Sequence, residues 1–99
     1  MKANLNENTE WICAGTSDFI ECFVYSNDQD RAIQIEAAGV TFSNATVTAY
    51  GITGASQVVE LPAGTGEICS IGGDDKFLIS KIKVSNLPAA TYTFRFSAV

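Results

Sequence analysis

An all-β fold, a two-sheet antiparallel sandwich of seven to eight short strands, is what three features of this 99-residue sequence predict. Short runs of alternating apolar and polar residues recur at roughly 8 to 12-residue spacing, separated by clusters of Gly, Asn, Asp and Ser that reverse a chain. The stretch from Ser80 to Phe96 holds two such runs around a proline-containing turn. The length suits one domain, which buries roughly 60 to 70% of its unfolded surface and so supports a single core without staples.

Residues 1–9 are polar and Asn-rich, with no period, and read as an N-terminal arm preceding a sandwich domain of residues 10–99. Fixing a backbone residue costs on the order of 1 to 2 kcal/mol, and the arm offers only Met1, Ala3 and Leu5 as apolar compensation, so its order is expected to come from another subunit. Trp11 and Cys13 then alternate with Ile12, and after Gly15-Thr-Ser-Asp18 the run Phe19 to Tyr25 continues. The short connection is compatible with a hairpin placing Ile20, Cys22 and Val24 on one face with Trp11 and Cys13. The other face carries Phe19, Phe23 and Tyr25 around Glu21, so both faces are apolar.

Ser26 to Asp30 is a turn cluster. In Arg31 to Gly39, the alternation of Ile33, Ile35 and Ala37 against Gln34 and Glu36 selects strand, although the Asp-rich start and Gly stop also suit a short helix. Val40 to Asn44 bends into the β-branched run Ala45 to Ile52, and Gln57 to Leu61 is a short strand. Pro62-Ala-Gly-Thr-Gly66 is a hairpin loop leading into Glu67 to Ile71, and Gly72 to Asp75 turns the chain into Lys76 to Ser80. On the next strand Ile82 and Val84 share a face with Leu78 and Ser80, while Lys81 and Lys83 point away. On the last, Tyr92, Phe94, Phe96 and Ala98 oppose Thr91, Thr93, Arg95 and Ser97. The expected core is Trp11, Ile20, Val24, Ile33, Ile35, Val47, Leu78, Ile82, Val84, Tyr92, Phe94 and Phe96.

The stretch Ser80 to Phe96, with its turn Leu87-Pro-Ala-Ala-Thr-Tyr92, resembles the corner before the penultimate or last strand of immunoglobulin-like and fibronectin type III-like domains, over about one sixth of the chain. The resemblance implies an Ig-like sandwich in which the Tyr92 hydroxyl ties down the backbone between Asn86 and Ala90.

Charged residues are 17% of the chain against a usual value of about 25%, which leaves surface for a partner to cover. A net charge of −5 with six Lys and Arg argues against nucleic acid, and no apolar run reaches membrane-spanning length. Lys76, Lys81, Lys83 and Arg95 read as a solvated sheet face. The N-terminus shows no signal-peptide pattern, so if Met1 is the native start the protein is made in a cytoplasm.

No residue set points to catalysis. There is no His, and Cys69 sits between Ile68 and Ser70 with no base in view. Cys13, Cys22 and Cys69 are an odd set without metal or disulfide spacing and read as buried reduced thiols. The pairs Asp28/Asp30 and Asp74/Asp75 lack the ligand number of a calcium loop, and the Pro62 to Gly66 loop lacks the Lys-Ser/Thr of a phosphate loop. Asn44-Ala-Thr46 is a glycosylation sequon that matters only on secretion. No cofactor or metal is expected.

Phe19, Phe23, Tyr25 and Tyr50 offer a platform for sugar rings, the second sheet's core or a subunit contact. The expected function is that of a non-enzymatic structural protein, a phage or virus virion component similar in fold and size to small capsid decoration proteins. Its partners would be capsid subunits or copies of itself, met through Met1, Lys2, Ala3, Asn4, Leu5, Asn6, Phe19, Phe23 and Tyr25. The alternative is an extracellular carbohydrate-binding or adhesin-type module.

Overall fold

The computed structural model describes residues 1–24, 32–39, 45–54, 56–61, 68–72 and 79–98. Tyr25, Asp28, Asp30, Asn44, the 62–66 loop, Asp74, Asp75, Lys76 and Leu78, and the Cys69 side chain, lie outside that description. The strands are β1 (Lys2–Ala3), β2 (Asn8–Cys13), β3 (Phe19–Phe23), β4 (Ala32–Gly39), β5 (Ala45–Gly51), β6 (Ser56–Leu61), β7 (Ile68–Gly72), β8 (Ile79–Ser85) and β9 (Ala90–Ala98). They form a five-stranded sheet, β1-β3-β8-β5-β6, and a four-stranded sheet, β2-β9-β4-β7. Every ladder is antiparallel except β1 on β3. The segment at 32–39 is strand, as the Ile33/Ile35 alternation requires.

The ladders are nested: β2 pairs with β9, β3 with β8, β4 with β7 and β5 with β6, so the chain is one long antiparallel ribbon with its tip between β5 and β6. Wrapping that ribbon lets β9 pair with β4 and β8 with β5, which splits it into two facing sheets. This is the strand order of a jelly roll, an all-β architecture that closes two sheets over one core. An immunoglobulin-like sandwich keeps its first two strands in one sheet and its last at a sheet edge. Here β2 and β3 lie in opposite sheets and β9 is central. The tyrosine-bearing turn is present nonetheless, with Tyr92 Oη donating to Pro88 O at 2.8 Å. It is a local device that does not carry the Ig topology with it.

The core matches the periodicity. Trp11, Ile20, Val24, Ile33, Ile35, Val47, Ile82, Val84, Tyr92, Phe94 and Phe96 are all buried. The four-stranded sheet contributes the aromatics, with Trp11 5.8 Å from Phe94 and 5.9 Å from Tyr92 between ring centroids, and Phe94 stacked on Phe96 at 6.1 Å. The five-stranded sheet opposes them with Ala45, Val47, Ala49, Ile20, Ile79, Ile82 and Val84. Large residues on one sheet against small and branched ones on the other let the two layers interdigitate at interior density.

Three expectations are corrected. First, residues 14–18 do not close a hairpin but carry the chain from one sheet to the other, so Trp11 and Ile20 face each other's layer across the core. A link of this length allows either route, and the choice falls to the partners: β2 lies along the aromatic strand β9 and β3 along β8. Asp18 holds the crossover, accepting hydrogen bonds from the Ala14 N–H (2.9 Å) and the Phe19 N–H (2.8 Å). Those two bonds, the Ala14 one foremost, hold its carboxyl below the usual carboxylate range. The Trp11 indole N–H adds the smallest pull on Asp18 and makes no hydrogen bond among the described residues.

Second, Ser80 does not share the inner face with Ile82. Tyr50 pairs with Lys81 but Gly51 with Ile79, so Ser80 is the extra residue of a β-bulge. Its hydroxyl donates to Tyr50 O at 3.0 Å and its carbonyl accepts from the Val24 N–H at 2.8 Å. The slip brings Ile79 inward, fully buried.

Third, the first nine residues are not an arm that needs a second subunit. Ala3 is buried, Leu5 packs against the core, and Lys2 and Ala3 pair with Glu21 and Cys22. The Glu21 N–H donates to Met1 O at 2.9 Å and the Asn6 N–H to Phe96 O at 2.6 Å, so residues 1–7 step from one sheet to the other before β2 starts at Asn8. Asn6 makes the step with φ of 65°, the left-handed region that Asn tolerates better than most residues. Composition undervalued the segment because its ordering cost is met by main-chain bonds, to which polar residues contribute as well as apolar ones.

Cys13 and Cys22 are buried free thiols facing the core from different sheets. Burial pushes the Cys22 thiol up to about 11.

Candidate functional site

The alternation that buries one side of β3, β8 and β5 presents Phe19, Glu21, Phe23, Lys81, Lys83, Ser85, Thr46, Thr48 and Tyr50 on the outer face of the five-stranded sheet, all half-buried. Register sets these side chains in rows: Phe23, Lys81 and Tyr50 in one, Glu21, Lys83 and Thr48 in the next, Phe19, Ser85 and Thr46 in the third. Lys2 joins from β1 beside Glu21.

The lysines lie on the rings. Lys81 Nζ is 4.8 Å from the Tyr50 centroid and 5.7 Å from that of Phe23, Lys2 Nζ is 5.1 Å from Phe23, and Lys83 Nζ is 4.6 Å from Phe19. Each contact contributes about 0.5 to 1 kcal/mol at an exposed site and more once a partner removes the water. Lys81 also pairs with Glu21 at 3.4 Å. Among the described residues no carboxylate is within ion-pair distance of Lys2 or Lys83. The described side chains of this face therefore carry an excess of positive charge on a chain whose net charge is −5, with Glu60 of β6 paired with Thr46 at the edge of the third row.

At the bulged end of β8 the face opens into a hollow of about 500 Å³ lined by Phe23, Val24, Tyr50, Ile52, Ser80 and Lys81. Ile52 on its rim is 63% exposed, and Val58, opposite Thr48 on the edge strand β6, is 62% exposed. Among the described side chains the other sheet's outer face differs in kind: Gln34, Glu36, Glu10, Thr91, Thr93, Arg95 and Ser97, with Ile12 the large apolar exception.

Of the sequence-predicted contact residues, Lys2, Phe19 and Phe23 come together here, with Tyr50 from the same aromatic set. Ala3 is buried in the protein's own core and Leu5, partly buried, packs against it. Met1 is half exposed at the edge, its ammonium 3.4 Å from Phe19 O, and Asn4 and Asn6 are exposed between the sheets. The lysine cluster read as one solvated face is divided: Lys81 and Lys83 are on this face and Arg95 is on the opposite one. Ile52 and Val58 were missed, since neither breaks the pattern of its strand; only the register shows that they border the same aromatics. No protein-family model and no curated protein matches the chain.

Proposed function

We propose that the chain is a non-enzymatic structural protein of a virion, a capsid decoration protein that attaches to protein subunits of the particle through the outer face of its five-stranded sheet. The observation that carries this is the set of ammonium groups laid over the outer-face rings. Stacking a neutral sugar needs an open ring face, and these faces are taken by Lys2, Lys81 and Lys83. That disfavours the carbohydrate-module reading and favours a partner with carboxylates and apolar side chains, which is protein surface. The jelly roll is an architecture used by viral capsid and lectin domains alike, so it supports the virion reading by analogy alone. The role no longer leans on the N-terminal segment, which the protein uses for itself.

Mass spectrometry of gradient-purified particles from the organism that encodes the chain should find it at a fixed copy number per shell, and Lys83→Glu should abolish rebinding to particles stripped of it. Its absence from particles, or saturable binding to neutral glycans on an array, would overturn the proposal.

A further inference from the structure

We infer that the outer face of the five-stranded sheet recognises an extended acidic protein segment, with carboxylates at alternate residues and an apolar side chain two residues beyond them. The inference rests on the assembly reading and specifies what the partner must present. Lys81 and Lys83 are two residues apart on β8, the middle strand of the sheet, which sets their stems about 6.8 Å apart on one side of the pleat. An extended chain laid along β8 presents its own side chains at that same interval. Acidic residues at i and i+2 then meet Lys83 and Lys81 in turn, and the next residue in phase, i+4, falls over the hollow between Phe23, Tyr50 and Ile52.

Charge decides the class of occupant. Three of the six Lys and Arg of the chain stand here, Glu21 is the one carboxylate among the described side chains of the face, and Glu60 of β6 is paired with Thr46 at its edge, so the face carries an excess of positive charge while the rest of the molecule is more acidic than its net −5. Two copies meeting through this face would bring its excess positive charge together, which disfavours a second copy as the occupant. A nucleic acid or a heparin-like polyanion would satisfy the ammonium groups but leave the apolar hollow, Ile52 and Val58 in water, and would be repelled by the remainder of the chain. A segment with carboxylates and one apolar anchor matches both halves of the face.

The test is a titration of the ¹⁵N-labelled full chain with the capped peptide Ser-Glu-Ser-Glu-Ser-Phe, followed by amide shifts, alongside its Glu-to-Gln counterpart and a heparin hexasaccharide. Saturable shifts are expected at residues 23, 50, 52 and 80–83. Binding should weaken by about tenfold or more for the Gln peptide and for Lys83→Glu, with Lys83→Gln intermediate and the spectra of both variants still those of a folded chain. Equal binding of the Gln peptide, equal or tighter binding of heparin, shifts on the opposite sheet, or no saturable binding at all would overturn the inference. Self-association of the chain that Lys83→Glu abolishes would overturn it in favour of a second copy. If Lys83→Glu still blocks rebinding to particles while the peptide fails, the face remains the attachment surface and only the segment chemistry is wrong.

Discussion

Truncating Phe94 to alanine probes the centre of the sandwich. Phe94 is fully buried on the middle of β9, in ring contact with Trp11, Tyr92 and Phe96. Its register partners are Thr9 on β2 and Ala37 on β4, both too short to fill the space its ring would leave. Transfer of the ring accounts for about 1.5 to 3 kcal/mol, and the unfilled cavity brings the usual Phe→Ala loss to about 3 to 5 kcal/mol. Losing three aromatic contacts at once between hydrogen-bonded strands that cannot close inward places this site in the upper half, at about 4 kcal/mol. A domain of this size has a total stability of about 5 to 15 kcal/mol, so the substitution removes roughly a quarter to four fifths of it. Urea unfolding can be followed by Trp11, the single tryptophan, and in parallel by far-UV circular dichroism, since Trp11 touches the mutated ring. Thr93→Ala, exposed one residue earlier, should change stability by less than about 0.5 kcal/mol. A loss below about 1 kcal/mol for Phe94→Ala would show that the two sheets do not pack as described.

Deleting Met1 through Leu5 removes the β1 ladder and the Ala3 and Leu5 contacts, so the melting temperature should fall by several degrees; an unchanged value would return the segment to the role of a free arm. Tyr92→Phe leaves Pro88 O without its donor and should cost about 1 kcal/mol in urea unfolding, while an identical curve would show that the hydroxyl does not tie the turn. Thiol reagent should find three groups in the unfolded chain and leave Cys13 and Cys22 unmodified in the folded one, where both are buried and the Cys22 thiol titrates only near 11. Because the folded-state pKa of Asp18 is depressed, its contribution is present above its unfolded pKa of about 3.9 and lost as pH falls through the lower folded value; Asp18→Asn should flatten that part of the acid-stability curve, and an unaltered acid limb would refute the Asp18 clasp.

What could be read from the sequence is what is encoded within a strand or a turn. Ile33 and Ile35 announce a pleat whichever strand lies beside them, and Tyr92 reaches Pro88 across four residues, so the core and the tied turn were both legible. Pairing is encoded at a distance. Asn8 pairs with Arg95 and Phe19 with Ser85 across more than 60 positions of sequence, and no local feature of residues 14–18 separates a hairpin from a crossover. The bulge at Ser80 escaped for the same reason: Leu78, Ile79, Ser80 and Lys81 fit two phases equally well until Gly51 takes Ile79 as its partner.

The candidate site lies on the dividing line between these two kinds of information. Alternation alone places Phe19, Phe23, Lys81, Lys83 and Tyr50 on the outward side of their strands, and from one strand at a time each is unexceptional: aromatics that could be a second core, lysines that could be solvated. Register converts them into one object by setting Lys81 between Phe23 and Tyr50 and Lys83 beside Glu21. Once they are neighbours the two bland readings exclude each other. Rings capped by ammonium groups cannot be the core of another layer, and ammonium groups resting on rings are not freely hydrated. In the proposed complex, a partner that removes the remaining water would strengthen each of these contacts while supplying carboxylates to Lys2 and Lys83, which have none within ion-pair distance among the described residues, so the face would gain more from an acidic, partly apolar protein surface than from a ligand that answers only its charge or only its rings.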